Sequence, residues 1–301
     1  MTVPDPVSVP EPVPEPVPEA GSVPGDRTTA ADLSYLAPDS TVLRRFTAPG
    51  ASVNTGRYET HRVTVRDGRA TDEAFDVDVH GFTLARHRSA VTDFTDPEQV
   101  QRIYRSEVTD LVQELLGADA VVSRGGVLRR SADPGSSGSQ PQAGLVHCDY
   151  APEGAPRAAA AAYAEAFPDG PGYRRAVATS TWRVFSPPPQ DWPLALCDFR
   201  SVADTDGLPN TLYFVDELPA DPFGPVDGLE PVTHGSEFHR NPDHRWWYFP
   251  GMDSDEVLFF KFHDSDRSRA WRVPHSAFHD PAAGATGPRH SIEFRTFAYW
   301  H

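Results

Sequence analysis

Leu145-Val146-His147-Cys148-Asp149-Tyr150 sets an imidazole and a carboxylate two residues apart. On an extended strand such residues point to one face, and Cys148 points to the other. A histidine and an aspartate converging this way supply two thirds of the two-histidine, one-carboxylate set that binds non-haem iron. That set leaves metal positions open for a co-substrate and oxygen. His-x-Asp alone also fits a structural ion pair, so the residues that follow decide. His275 stands in Val273-Pro274-His275-Ser276, and Arg289 and Ser291 come after it, again two apart. A guanidinium grips a carboxylate with two hydrogen bonds, and a neighbouring hydroxyl adds a donor. The order His-x-Asp, distal His, Arg-x-Ser therefore reads as metal ligands followed by an anchor for an acidic co-substrate.

Two further residues compete for roles. His244 precedes the bulky run Arg245-Trp246-Trp247-Tyr248. It reads either as the third ligand in place of His275 or as a polar anchor at a strand start. Arg183, in Ser180-Thr181-Trp182-Arg183, reads either as a cation lining the cavity for a substrate or co-substrate carboxylate, or as a salt-bridge partner. Tryptophans that face the metal would wall a dry pocket.

Other chemistries lack their residues. Cys148 and Cys197 are the only cysteines, too few for a thiolate zinc site or a disulfide framework. Cys148 has no Cys-His-Asn logic around it. Neither G-x-x-x-x-G-K nor a G-x-G-x-x-G after a strand occurs, which argues against ATP, NAD and flavin. The formal charge of -16 opposes binding to a phosphate backbone or an anionic membrane surface. No stretch approaches the roughly 20 apolar residues that span a bilayer, and no secretory signal pattern opens the chain. The cytoplasm is the expected compartment.

The elements that must position these residues follow from pattern. Residues 1–38 read as a Pro/Glu-rich extended tail built on a repeated Pro-Glu-Pro-Val unit, and 39–301 as one globular domain. Strands are expected at Tyr58–Val65 and Phe75–Leu84, where apolar and polar residues alternate. Asp96 and Pro97 open a helix whose apolar spacing runs to Leu115, and Gly117 ends it. More strands are expected at Val121–Leu128, Gly144–Asp149, Ala176–Phe185, Leu194–Val202 and Leu212–Val215, with a short helix over Ala158–Phe167. HRWWYFPG, DEVLFFKFHDSD and RHSIEFRTFAYW are dense in aromatic and β-branched residues. Many short strands with few helices predict a barrel or sandwich flanked by helices on one side.

With these stretches in view, the chain resembles the CmcJ/AsaB-like hydroxylase/desaturase family of bacterial and fungal secondary metabolism. VHCDYAPEGA, STWRVFSPPPQDWPLALCDFRSV, HRWWYFPGMDSDEVLFFKFHDSD, VPHSAFHDP and RHSIEFRTF carry the likeness, which spans roughly residues 42–301. The resemblance implies a mainly β fold with flanking helices, a double-stranded β-helix (jelly-roll, cupin-like) core. It implies Fe(II) and 2-oxoglutarate as cofactors, and hydroxylation or desaturation of a small natural-product scaffold. It carries His147 and Asp149 over as iron ligands but includes the stretches of both His244 and His275. His275 is preferred because Arg289 and Ser291 follow it. Some members of the family act beside a partner biosynthetic enzyme such as a methyltransferase. Two other functions fit a barrel with these residues: a non-catalytic partner of another biosynthetic enzyme, and a zinc-dependent hydrolase.

Overall fold

The computed structural model describes residues 27–130, 139–140, 142–280 and 287–301. The Pro-Glu-Pro-Val run lies outside them. The first strands are β1 (Thr28–Leu36), β2 (Leu43–Ala48), β3 (Ala51–Asn54), β4 (Tyr58–Asp67) and β5 (Phe82–Arg86). A helical segment follows in three pieces: α1 (Pro97–Gln99), a π-helical turn (Val100–Tyr104) and α2 (Arg105–Leu116). Then come β6 (Ala120–Arg130), β7 (Ser139–Gln140), β8 (His147–Cys148) and α3 (Ala155–Ala166). The last part holds β9 (Arg175–Val184), β10 (Leu194–Cys197), β11 (Gly207–Phe214), β12 (Thr233–Phe238) and β13 (Trp246–Tyr248). It ends with β14 (Glu256–Asp264), β15 (His275–Ala277) and β16 (His290–Trp300).

These strands form two sheets. The larger runs β1-β4-β13-β10-β15-β8-β12-β11-β2-β3, and the smaller β5-β14-β9-β16-β6-β7. Most neighbours are antiparallel. The sheets share one core, to which β1 gives Leu33 and Tyr35, β9 Trp182, β14 Phe260 and Phe262, and β16 Phe297 and Tyr299. This is the jelly-roll core that the resemblance implies.

A second apolar layer covers the other face of the smaller sheet. Val177, Phe259, Ile292, Phe294 and Ala298 pack there against Tyr104, Val108 and Val112. Strands β9, β14 and β16 are thus buried on both faces. That is why Glu256–Asp264 reads as a continuous apolar run and not as an alternation. The helical layer is set by local chemistry: the Asp96 side chain accepts from the Glu98 and Gln99 amides, and Gly117 closes α2 at φ 61°.

Two expectations need correction. The tail does not reach residue 38, because Thr28–Leu36 pair along their length with β4 and alternate exposed and buried. The first half of the strand buries only the small Thr29 and Ala31, so its bulky signal is confined to Leu33, Tyr35 and Leu36 at the end. Phe75–Leu84 is not one strand either. The Asp78 amide donates to the Asp76 carboxylate, the His80 amide to the Asp76 carbonyl, and Gly81 takes φ 88°. This turn folds Phe75 back onto Phe82 and Trp247, and the strand begins only at Phe82.

Candidate metal centre

His147 lies on β8 between β15 and β12. His275 pairs with it on one side and Glu237 on the other. Directly opposed residues in antiparallel strands share a face, so His275, His147 and Glu237 form one row. The two imidazoles sit 4.3 Å apart between ring centres. His147 Nδ1 donates to the Leu145 carbonyl at 2.6 Å, and His275 Nδ1 to the Val273 carbonyl at 3.1 Å. Each ring is thereby held in the tautomer whose Nε2 keeps a free lone pair. Those Nε2 atoms face Asp149 Oδ1, at 3.4 Å from His147 and 3.9 Å from His275. One ligand atom from each of the three residues lies within 4.8 Å of the others. Two neutral imidazoles and a carboxylate, with both Nδ1 protons already committed, are a donor set that fits a divalent metal such as iron.

The charges of Asp149 and His275 agree with this donor set, whereas His147 would have to give up a proton to a metal. Burial opposes ionisation of Asp149, but Arg295 and the two imidazoles outweigh it and hold the carboxyl well below its usual range. Burial and the neighbouring His147 push His275 down to about 3, so it is neutral. Burial also works against a charged His147, yet the Asp149 carboxylate more than compensates and raises it. Cys148 points away from the cluster, as strand geometry requires. Its thiol donates to the Phe262 carbonyl at 3.2 Å, and burial pushes it up to about 12, which rules out a ready thiolate.

Arg289 lines the same cavity as His147 and His275, with Trp182 and Phe260 among its apolar walls. It is 1% exposed, and its guanidinium lies 5.4 Å from the Trp182 ring. Nη1 donates to the Trp192 carbonyl at 2.7 Å, while Nε has no hydrogen-bond partner among the described residues. The Ser291 hydroxyl, also 1% exposed, is likewise without one. Burial and then Arg129 push Arg289 down to about 9, with Asp191 and Glu293 partly opposing them. Two buried donors without partners, two residues apart and beside the candidate ligands, fit the distal carboxylate of 2-oxoglutarate.

Two candidates sit elsewhere. Arg183 does not line this cavity. Its neighbour Trp182 faces inward, so strand alternation turns Arg183 outward, toward the helical layer. There it donates to the Tyr104 hydroxyl at 3.1 Å, to the His87 ring nitrogen at 2.6 Å, and to the carbonyls of His87 and Ser254. His244 is also outside the cluster. Its Nδ1 meets the Tyr35 hydroxyl at 3.2 Å and its Nε2 meets Asp206 at 3.1 Å, the polar-anchor reading.

Residues not singled out as ligands or anchors complete the surroundings. Arg129 and Glu293 line the cavity. Arg295 pairs with Asp149 Oδ2 at 2.6 Å. Glu237 is buried beside His147 and accepts from Tyr58 at 2.8 Å and Asn210 at 2.6 Å. A signal for two of them was present: the two-residue step from Arg289 to Ser291 continues to Glu293 and Arg295 on the same face of β16.

Comparison with known proteins places this geometry in a family. A family model described as "Oxidoreductase/YMDC permease-like domain" matches residues 33–299. The hydroxylase/desaturase CTB9 of Cercospora beticola is 31% identical over 263 residues, covering 81% of this chain and 78% of that one. The hydroxylase/desaturase efuI of Hormonema carpetanum is 32% identical, covering 81% and 85%. The chain belongs to the hydroxylase/desaturase family. A solved structure of the iron and alpha-ketoglutarate-dependent endoperoxidase NvfI superimposes on this family member with a TM-score of 0.75. It has 25% identity and covers 91% of this chain and 99% of its own. A Fe(II)/2-oxoglutarate-dependent dioxygenase nvfI of Aspergillus novofumigatus is 28% identical over 91% of this chain. This family member is an iron(II)- and 2-oxoglutarate-dependent oxidoreductase. No helix among its described residues is long and apolar enough to cross a membrane.

Proposed function

We propose that His147, Asp149 and His275 hold Fe(II), that Arg289 and Ser291 receive the distal carboxylate of 2-oxoglutarate, and that the oxygenase hydroxylates or desaturates a small natural-product scaffold. The observation that carries the reading is the convergence of two Nε2 atoms and one carboxylate oxygen within 4.8 Å, with both Nδ1 protons spent on backbone carbonyls. Bound iron with 2-oxoglutarate supplies the oxidising power that no side chain here has. The chain supplies the rest. Leu145 and Val273 carbonyls fix the ring orientations. Arg289 neutralises and aims the co-substrate from a buried position. Trp182, Leu194 and Phe260 wall the cavity with apolar surface that keeps water from the reaction. Hydroxylase and desaturase are the activities in the names of the relatives, and the scaffold class rests on them. The same reading places the protein in a reducing compartment, the cytoplasm, where its buried free thiols Cys148 and Cys197 stay reduced. A partner biosynthetic enzyme belongs to this reading; nucleic acid does not, given the charge of -16.

Anaerobic titration with Fe(II) and 2-oxoglutarate tests the centre. The protein is expected to develop a weak visible charge-transfer band, and His147→Ala to lose it. Metal-loaded protein without the band, or His147→Ala with an unchanged one, would sink the assignment.

A further inference from the structure

We propose that Arg295 is a positioning residue of the metal centre, holding Asp149 so that one carboxylate oxygen alone faces the imidazoles. The inference rests on the metal reading above. A carboxylate can offer a metal one oxygen or two. With two, Asp149 would occupy a position that the co-substrate and oxygen need, since a three-residue set is useful for the positions it leaves open. The geometry separates the two oxygens. Oδ1 is the one that faces His147 Nε2 and His275 Nε2. Oδ2 lies 2.6 Å from Arg295 Nη2, an ion pair that lacks hydrogen-bond alignment.

Arg295 is itself held in place. Its Nε donates to Glu293 Oε1 at 3.0 Å, and the Glu293 side chain is 7% exposed. The guanidinium thus hydrogen-bonds Glu293 through Nε and holds Nη2 in ion-pair contact with Asp149. An ammonium, a single flexible point, does not reproduce that arrangement. Both residues lie on β16, on the same face as Arg289 and Ser291. One strand face therefore carries the candidate co-substrate anchor at one end and the Asp149 support at the other. Its antiparallel pairing with β6 and β9 on both sides keeps that spacing rigid.

A rival account gives Arg295 only a neutralising role, pairing with Asp149 until the metal displaces it. The two accounts predict opposite signs. Removing a competitor tightens metal binding; removing a positioner weakens it.

The test uses the full chain, metal-free, with Co(II) as an anaerobic spectroscopic probe and a chromophoric chelator as competitor. Arg295→Gln is expected to weaken Co(II) binding by about 10–100-fold, the usual cost of losing a partner that orients a ligand, and to alter the visible Co(II) spectrum as Asp149 turns. Arg295→Lys should regain part of the affinity but not the spectrum. Glu293→Gln should cost only a few-fold, since it loosens Arg295 without removing it. Should Arg295→Gln fail to fold, the Lys and Glu293 variants carry the test. Affinity equal to or tighter than that of the unsubstituted protein overturns the proposal, whatever the spectrum. If the unsubstituted protein and His147→Ala bind Co(II) equally, the metal reading itself falls and takes this inference with it.

Discussion

Arg183 and Arg289 are both buried arginines on the smaller sheet, 0% and 1% exposed, and they face opposite ways. Arg183 looks toward the helical layer, with acceptors for its Nε and both Nη atoms. Arg289 looks into the jelly roll, where its Nε and the Ser291 hydroxyl lack partners among the described residues. Burying a cation is tolerated when its hydrogen bonds are made and costly when they are not. The completed arginine therefore serves the fold, and the incomplete one is free to serve a ligand. What separates a functional arginine from a structural one here is neither burial nor strand position but the account of its donors.

Substituting each arginine puts that distinction to its hardest test. Arg183→Ala strips hydrogen bonds from two backbone carbonyls, a tyrosine hydroxyl and a histidine ring. Hydrogen bonds to a charged group contribute about 1.5–3 kcal/mol each, so a loss of about 4 kcal/mol or more in urea unfolding is expected. Protein that still folds should bind 2-oxoglutarate with unchanged affinity. A loss of stability below about 1 kcal/mol would break the comparison from the structural side.

Arg289→Ala should do the reverse. Truncating one partner of a buried charged pair costs about 2–5 kcal/mol of binding, so 2-oxoglutarate affinity should fall by a factor of 30 or more. Folding stability should barely change, because the substitution also removes a buried cation whose hydrogen bonding is incomplete. Thermal unfolding with and without co-substrate reads both effects at once. The unsubstituted protein gains about 2.7 kcal/mol at a hundred times Kd, and the variant at the same concentration gains at most about 0.9 kcal/mol. A variant that is strongly destabilised yet binds normally would place Arg289 on the structural side with Arg183.

The same comparison explains what the sequence could and could not tell. His147 and Asp149 were legible because a strand's two-residue period is local. His275 and the pair Arg289 and Ser291 were legible by order and spacing. The order favoured His275 over His244, but the physical reason is tertiary: β8 pairs with β15 at His147 while His244 turns to Tyr35 and Asp206. The two readings left open for Arg183 parted on which face of β9 is inward. Because that strand is buried on both faces, hydrophobic alternation could not choose. Arg295 had the right parity, but its role depends on where the Asp149 carboxylate lies, a tertiary fact. The strands carried by aromatic and β-branched residues were read from composition. Strand β1 was hidden by small residues beside a proline-rich run, and the Phe75 turn by an alternation that the Asp76 side chain overrides.

A last expected effect asks whether acid sensitivity belongs to the scaffold or to the candidate site. His263 is 4% exposed on β14, and burial together with Arg267 pushes it down to about 4. Between its ordinary value near 6.5 and that folded value, the unfolded chain binds a proton that the folded chain refuses. Stability contributed by the neutral ring is therefore complete above pH 6.5 and is lost as the pH falls toward 4, by about 1.4 kcal/mol per unit inside that window. His263→Asn removes the titration, so its unfolding free energy should be lower at pH 7 but flatter between pH 6.5 and pH 4 than that of the unsubstituted protein. Parallel pH profiles for the two proteins would remove His263 from the account. The acid response of the fold would then have to come from the other histidines that burial lowers, His87, His244 and His290 in the scaffold or His275 in the candidate site.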